Sequence, residues 1–326
     1  MGKRFRGDSR TVVLAVRADE GAQSLVDAAM QLCRRTGMKL RIVQVAEYWI
    51  GRSWPRELTI EGPLAEAVDA VEGESIRMAE KHLRKMAESA GRGLEVETNV
   101  LSGNASECII ADALANRASL IITGAGRGSH RFVPRGMSTA LSLMADAPIP
   151  VLVIQEGCRP KFDMDGQVVL IADDLSEHSE RAVLTGFDLA TALGKTKVKH
   201  VHVNAISEEN LRVALEGVAS ASRSGQVRGI SAGEIHELAL KTLDAKLRQR
   251  AAGMKAVLEA SSSEVSCHLR SGDVIDELNK AAEETKADFV VFGRHRAFRR
   301  KPFLIGQVPF YAMLSPDRPV LVVPAD

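Results

Sequence analysis

The stretch Leu101–Arg127, LSGNASECIIADALANRASLIITGAGR, reads against Arg270–Arg296, RSGDVIDELNKAAEETKADFVVFGRHR. Gly103 falls on Gly272, Gly124 on Gly293 and Pro150 on Pro319, all at a shift of 169 residues. The ends agree as well, since PVLVI from Pro150 answers PVLVV from Pro319. Near the starts, VVLAV (Val12–Val16) answers VVLIA (Val168–Ala172) at a shift of 156. The chain is therefore a duplication, and a duplication has to be read before any single element is assigned. The two shifts differ by 13, so the second copy carries that many extra residues upstream of Gly272. They are expected in NAISEENLRVALEGVASASRSGQVRGISAG (Asn204–Gly233), whose Ser/Gly-rich end reads as a flexible loop. The domain reading is 1–157 and 165–326, joined near Gln155–Gly166.

Composition suits two such units. The 326 residues are 45% apolar and 26% charged, enough for packed cores in a soluble chain. Lys and Arg number 43 against 42 Asp and Glu, so no global field recruits nucleic acid or a membrane. The longest apolar stretch, around Ile149–Ile154, is far short of the roughly 18 residues that span a bilayer. The basic start, MGKRFRGDSR, lacks the apolar segment of a secretory signal and the hydroxyl residue at position 6 that myristoylation wants. Cys33, Cys108, Cys158 and Cys267 are scattered, with neither a disulfide framework nor zinc-ligand spacing. A cytoplasmic, metal-free protein is expected.

Within each copy, short β-branched runs alternate with helical patterns. The strands are Val12–Val16, Leu40–Val45, Leu94–Val100, Leu120–Thr123 and Val151–Ile154, then Val168–Ala172, Val198–Val203, Val265–Leu269, Phe289–Phe292 and Val320–Val323. Leu64, Val68, Val71, Ala79, Leu83 and Met86 keep one apolar helix face, as do Leu240, Leu243, Leu247, Met254 and Leu258; both read as core. Apolar runs without strict alternation suit strands buried on both faces, hence parallel sheets covered by helices. Five strands and four helices per copy make a doubly wound α/β domain, which binds ligands at the carboxyl ends of its strands, near the switch in strand order.

This pattern resembles the universal stress protein family in tandem form, over nearly the whole chain. The resemblance implies two doubly wound parallel five-stranded sheets, Rossmann-like and of the adenine nucleotide alpha hydrolase type. Nucleotide-binding members carry Gly, two residues, Gly, nine residues, Gly and then Ser or Thr, between the fourth strand and the last helix. The second copy keeps that spacing as Gly293, Arg296, Gly306 and Gln307, with Arg for the second Gly and an amide for the hydroxyl. The first copy reads Gly124, Arg127, Met137 and Ser138, keeping the hydroxyl and losing the third Gly, while Gly136 stands one place earlier. Gly126 and Gly128 make its loop Gly-Ala-Gly-Arg-Gly. The family also places an Asp after the first strand, near the nucleotide. Asp174 stands there in the second copy, and Arg17 and Ala18 in the first, with Asp19 shifted by one. Val45 and Val203 match the places where members touch adenine through the backbone.

A glycine-rich loop binds phosphate because successive backbone N–H groups face the anion and no Cβ blocks the approach. The following helix adds its positive end, and a Ser or Thr adds a hydroxyl. Arg127 and Arg296 put a long cation into that loop. Two outcomes stay open: the guanidinium fills the phosphate site, or it swings out and clamps the anion.

Other residues divide between a ligand and the scaffold. Arg131, Arg135, Arg294, His295, Arg299, Arg300 and Lys301 make both loops basic, which fits an anionic ligand or a solvated loop; with 4% aromatics for stacking, nucleic acid is not expected. Tyr48, Trp49 and Trp54 share one loop after the second strand, as a lid, a contact patch or a loop folded onto its own domain. Asp174, Ser176 and His178 lie too close in sequence for a triad and read as a helix start. His200 and His202 point to one face of a strand without a third ligand, so a packing role is expected. The reading is a stress-response binder of ATP, AMP or another small anion, with Mg²⁺ if ATP. No catalytic or metal residues are assigned, and slow ATP hydrolysis stays open. The alternative is an interaction scaffold with vestigial pockets. The resemblance also implies an intramolecular pseudo-dimer through the terminal strands, and leaves open a homodimer.

Overall fold

The computed structural model describes residues 10–17, 22–46, 62–89, 93–125, 139–206, 208–221, 231–260, 262–294 and 318–325. Gly126, Arg127, Gly128, Gly136, Ser138, Arg296, Gly306 and Gln307 lie outside the described residues, as do Tyr48, Trp49, Trp54, the basic residues of both loops apart from Arg294, and the helix expected before Pro319.

Strands and helices alternate as the apolar runs require. The first copy runs β1 (Thr11–Val16), α1 (Ala22–Thr36), β2 (Lys39–Ala46), α2 (Pro63–Ser89), β3 (Val96–Ser102), α3 (Ala105–Ala115), β4 (Ala118–Ala125), α4 (Thr139–Asp146) and β5 (Val151–Gln155). The second runs β6 (Gln167–Ala172), α5 (Glu180–Leu193), β7 (Thr196–Asn204), α6 (Glu208–Ala221), α7 (Ala232–Ala260), β8 (Glu264–Ser271), α8 (Val274–Glu284), β9 (Phe289–Arg294) and β10 (Val320–Pro324).

The chain divides into two compact units. One reaches to Met164 and includes Arg318–Val322; the other runs on from Asp165 and includes Val323–Ala325. In the first unit the order is β3-β2-β1-β4-β5, all parallel, so the order reverses at β1. Val320–Val322 then lies antiparallel on β5, with Leu321 opposite Leu152. In the second unit β6 is flanked by β7 and β9, with β8 beyond β7, again parallel. There the Ala325 N–H donates to the Arg294 carbonyl at 2.8 Å.

The central strands are buried on both faces, as near-continuous apolar runs predict: Val12–Leu14, Leu120–Ile122, Leu152 and Val169–Ile171 have essentially no exposed surface. The repeat is physical as well as textual. Gly103 and Gly272 both take a left-handed backbone, φ 130° and 141°, after the third strand of each copy. Asn104 and Asp273 follow them as the N-caps of α3 and α8. Each of these helices is also tied to the sheet by an arginine. Arg41 grips the buried Asp112 through Nε and Nη2 at 2.8 and 2.9 Å. Arg270 reaches Glu277 at 2.9 Å and Glu284 at 2.8 Å.

One expectation is corrected. Of the apolar stripe of α2, Ala79, Leu83 and Met86 are core, while Val68 is half-buried and Val71 is 53% exposed. The stretch expected to hold the inserted residues contains α6 (Glu208–Ala221); Ser207 and the Ser/Gly-rich end, 222–230, lie outside the described residues.

Candidate functional site

The register brings the described candidates to the carboxyl ends of parallel strands. In the first copy Val16 pairs with Gln44 and Ala15 with Thr123, so Val45 and Gly124 each stand one residue further, on either side of β1. In the second, Ala172 pairs with Val201 and Ile171 with Val291. Val203 and Gly293 therefore stand near the ends of the two strands that flank β6, and Asp173 and Asp174 directly follow β6. These are the switch points where doubly wound sheets take ligands. The two glycines differ in what holds them there. A Cβ on Gly293 would meet the Ala182 Cβ at 3.3 Å and the Ser179 Cα at 3.7 Å, so glycine admits the first turn of α5 against β9. A Cβ on Gly124 would stand at an ordinary 3.5 Å from the Leu25 Cδ2.

The turn from β6 into α5 is built by two successive aspartates. Asp173 extends the ladder, its N–H donating to the Val201 carbonyl at 2.9 Å. Its Oδ1 then accepts the Leu175 N–H at 2.8 Å, and the Asp174 Oδ1 accepts the Ser176 N–H at 2.9 Å. These local bonds turn the chain out of the strand. Leu175, buried between them, sits at φ 60°, a left-handed conformation that costs a leucine about 1 kcal/mol or more. Asp174 is exposed and Asp173 is buried.

Around the Asp173 carboxylate the partners converge from three further elements. The Ser179 Oγ lies 2.7 Å from Oδ1. From α7, Arg250 places Nη1 2.7 Å from Oδ1 and 3.0 Å from the Ser179 Oγ, and Nη2 2.6 Å from the Ser176 carbonyl. From β7, the His200 Nε2–H donates to Oδ2 at 2.9 Å, and the His202 Nδ1–H donates to the Asp173 carbonyl at 2.7 Å. The His200 ring is fully buried, edge-on to Phe187 at 5.7 Å, with no partner on Nδ1.

Burial alone raises the pKa of Asp173. The hydrogen bonds from His200, Ser179 and the Leu175 N–H outweigh it and hold the carboxyl at about 2. A carboxylate so fully engaged is a fixed charge rather than a proton carrier. It holds a shape, and the neighbouring Asp174 offers the exposed acceptor.

The histidines are buried as the sequence reading expects, but in service of this turn. Asp173 and Arg250 were not singled out by sequence. The Asp-Asp doublet before Leu-Ser-Glu was the available signal for the first; Arg250 stands in a charge-rich helix where nothing local marks it. Asp174, Ser176 and His178 form a turn leading to α5, whose first residue is Glu180. Among the described residues no group of three or more His, Cys, Asp or Glu could hold a metal ion. No helix there is long and apolar enough to cross a membrane.

Known proteins can now be set beside this geometry. The model of the universal stress protein family matches twice, over residues 9–155 and 167–324. No curated protein sequence matches the chain. Among solved structures, a universal stress protein from Archaeoglobus fulgidus is similar at 15% identity, with a TM-score of 0.63 and 98% of each chain covered. A functionally unknown protein from Pseudomonas aeruginosa follows at 17% identity, with a TM-score of 0.55, 97% of this chain and 93% of that one covered. At such identities the structures speak for the fold. The double family match speaks for descent: the chain belongs to the universal stress protein family, in tandem form.

Proposed function

We propose that this chain is a non-catalytic, cytoplasmic stress-response protein that binds an adenine nucleotide, or another small anion, at the carboxyl edge of its sheets. The observation that carries the reading is that β7 and β9, which flank β6, carry Val203 and Gly293 near their carboxyl ends, with Asp174 two residues past the end of β6, where the strand order of the second copy switches. An exposed carboxylate there takes hydroxyl donors, and the backbone at Val203 offers hydrogen bonds to a base edge. Gly293 opens the segment Arg294–Gln307, in which Arg296, Gly306 and Gln307 are the proposed phosphate-side residues. In the first copy the proposed residues are Val45, Gly124, Gly126, Arg127, Gly128, Gly136 and Ser138. The domains are proposed as 1–157 and 165–326, paired as an intramolecular pseudo-dimer.

Equilibrium dialysis of the full chain against ATP and AMP, with and without Mg²⁺, tests this. Retention at concentrations below about millimolar, equivalent to roughly −4 kcal/mol or better, is expected. No retention there gives way to the scaffold reading. That second reading has an observation of its own: Val71 and Met78, seven residues apart on α2, are 53% and 66% exposed.

A further inference from the structure

The geometry points to Arg250 as a positioning residue that clamps the Asp173–Ser179 turn of the second copy and so presents Asp174; this rests on the proposed binding at that edge. A left-handed leucine persists only where its surroundings over-determine it, and such strain gathers at ligand-holding turns. Leu175, at φ 60°, is held in that way. The backbone on its two sides is fixed by a single guanidinium, through the Asp173 Oδ1 at 2.7 Å before it and the Ser176 carbonyl at 2.6 Å after it. The guanidinium comes from α7, an element with no other part in the turn. Bridging a carboxylate and a carbonyl with separate nitrogens of one planar fork is something lysine cannot copy.

The first copy carries other residues at the matching positions. Ala79, Leu83 and Met86 of α2 are buried as Leu247, Ala251 and Met254 of α7 are, a shift of 168 that sets His82 in the place of Arg250. At the shift of 156 fixed by the first strands, Arg17 replaces Asp173, Ala18 replaces Asp174 and Gln44 replaces His200. The His82 Nδ1 lies 3.3 Å from the Gln44 Oε1. The pairing of an arginine on the long helix with an aspartate after the first strand is thus not repeated at the matching positions, although Asp19 stands one place further on.

Arg250→Ala and Arg250→Lys in the full chain test this in two ways. In hydrogen exchange, the Leu175–Ser179 amides are expected to exchange about tenfold faster or more in both variants, while those of Val168–Ile171 hold their wild-type rates. In titration, the Kd for adenosine and for ATP is expected to rise by the same factor, about tenfold, with stoichiometry unchanged, and millimolar methylguanidinium restores Arg250→Ala. A general loss of folding would lower the stoichiometry and would not answer to methylguanidinium. Unchanged exchange in the turn overturns the clamp. Faster exchange with unchanged affinity overturns the positioning role. Should the wild-type chain bind no nucleotide, the functional reading fails, and the exchange rates alone decide the clamp.

Discussion

Asp173 carries a charge that the fold needs and water does not reach. Its carboxyl titrates near 2 in the folded chain against an ordinary 3.8. A depressed pKa adds stability that is present above the ordinary 3.8, roughly 2 kcal/mol, and is lost as pH falls toward 2. Urea unfolding from pH 7 down to pH 2 should show that loss. Asp173→Asn should flatten it and should lower stability at neutral pH by on the order of 3 kcal/mol, because Arg250 and His200 lose their shared partner. An unchanged acid limb in the variant would place the acid sensitivity elsewhere. Cys33 is the opposite case: burial pushes its thiol up to about 12. Since only the thiolate reacts, iodoacetamide at pH 8 should leave Cys33 unmodified until urea unfolds the chain. At this scale the sequence was least informative. Asp174 could be placed by its neighbours, whereas Asp173 and Arg250 meet across 77 residues of chain, and no local pattern encodes a contact between a strand end and a distant helix face.

Elements were far more legible, because strand and helix periodicity is written into the apolar residues themselves. All ten strands appear where β-branched runs placed them, with ends moved by a residue or two. What periodicity could not supply was depth: Val71 fits the helical stripe of α2 yet is 53% exposed. Close helix–strand approach was equally hidden. Gly186, in the middle of α5, lets the helix settle on β6, since a Cβ there would lie 2.8 Å from the Ile171 Cδ1 and 3.0 Å from its Cγ1. Gly186→Ala gains about 1 kcal/mol of helix propensity but overpacks a buried contact for about 1–3 kcal/mol, so a net loss near 1 kcal/mol is expected in thermal unfolding. Gly253, in α7, has nothing within 4 Å of its notional Cβ. Gly253→Ala should therefore stabilise, by up to about 1 kcal/mol. Equal effects at the two sites would contradict the packing described for α5.

At the scale of the whole chain, duplication was legible from three glycine and proline coincidences, and the structure repeats it in strand order, in the left-handed Gly103 and Gly272, and in the caps beside them. The family match over both halves agrees. What duplication does not carry is equivalence. The copies differ at the ends of their first strands, with Arg17 and Ala18 in one and Asp173 and Asp174 in the other. Binding should follow that divergence. Calorimetric titration of ATP with Mg²⁺ into the wild-type chain and into Asp174→Ala tests it most directly. The expected result is saturable wild-type binding tighter than about millimolar, weakened about tenfold or more by the substitution. Binding that Asp174→Ala leaves untouched, or no heat from the wild-type chain at millimolar ATP, would contradict it.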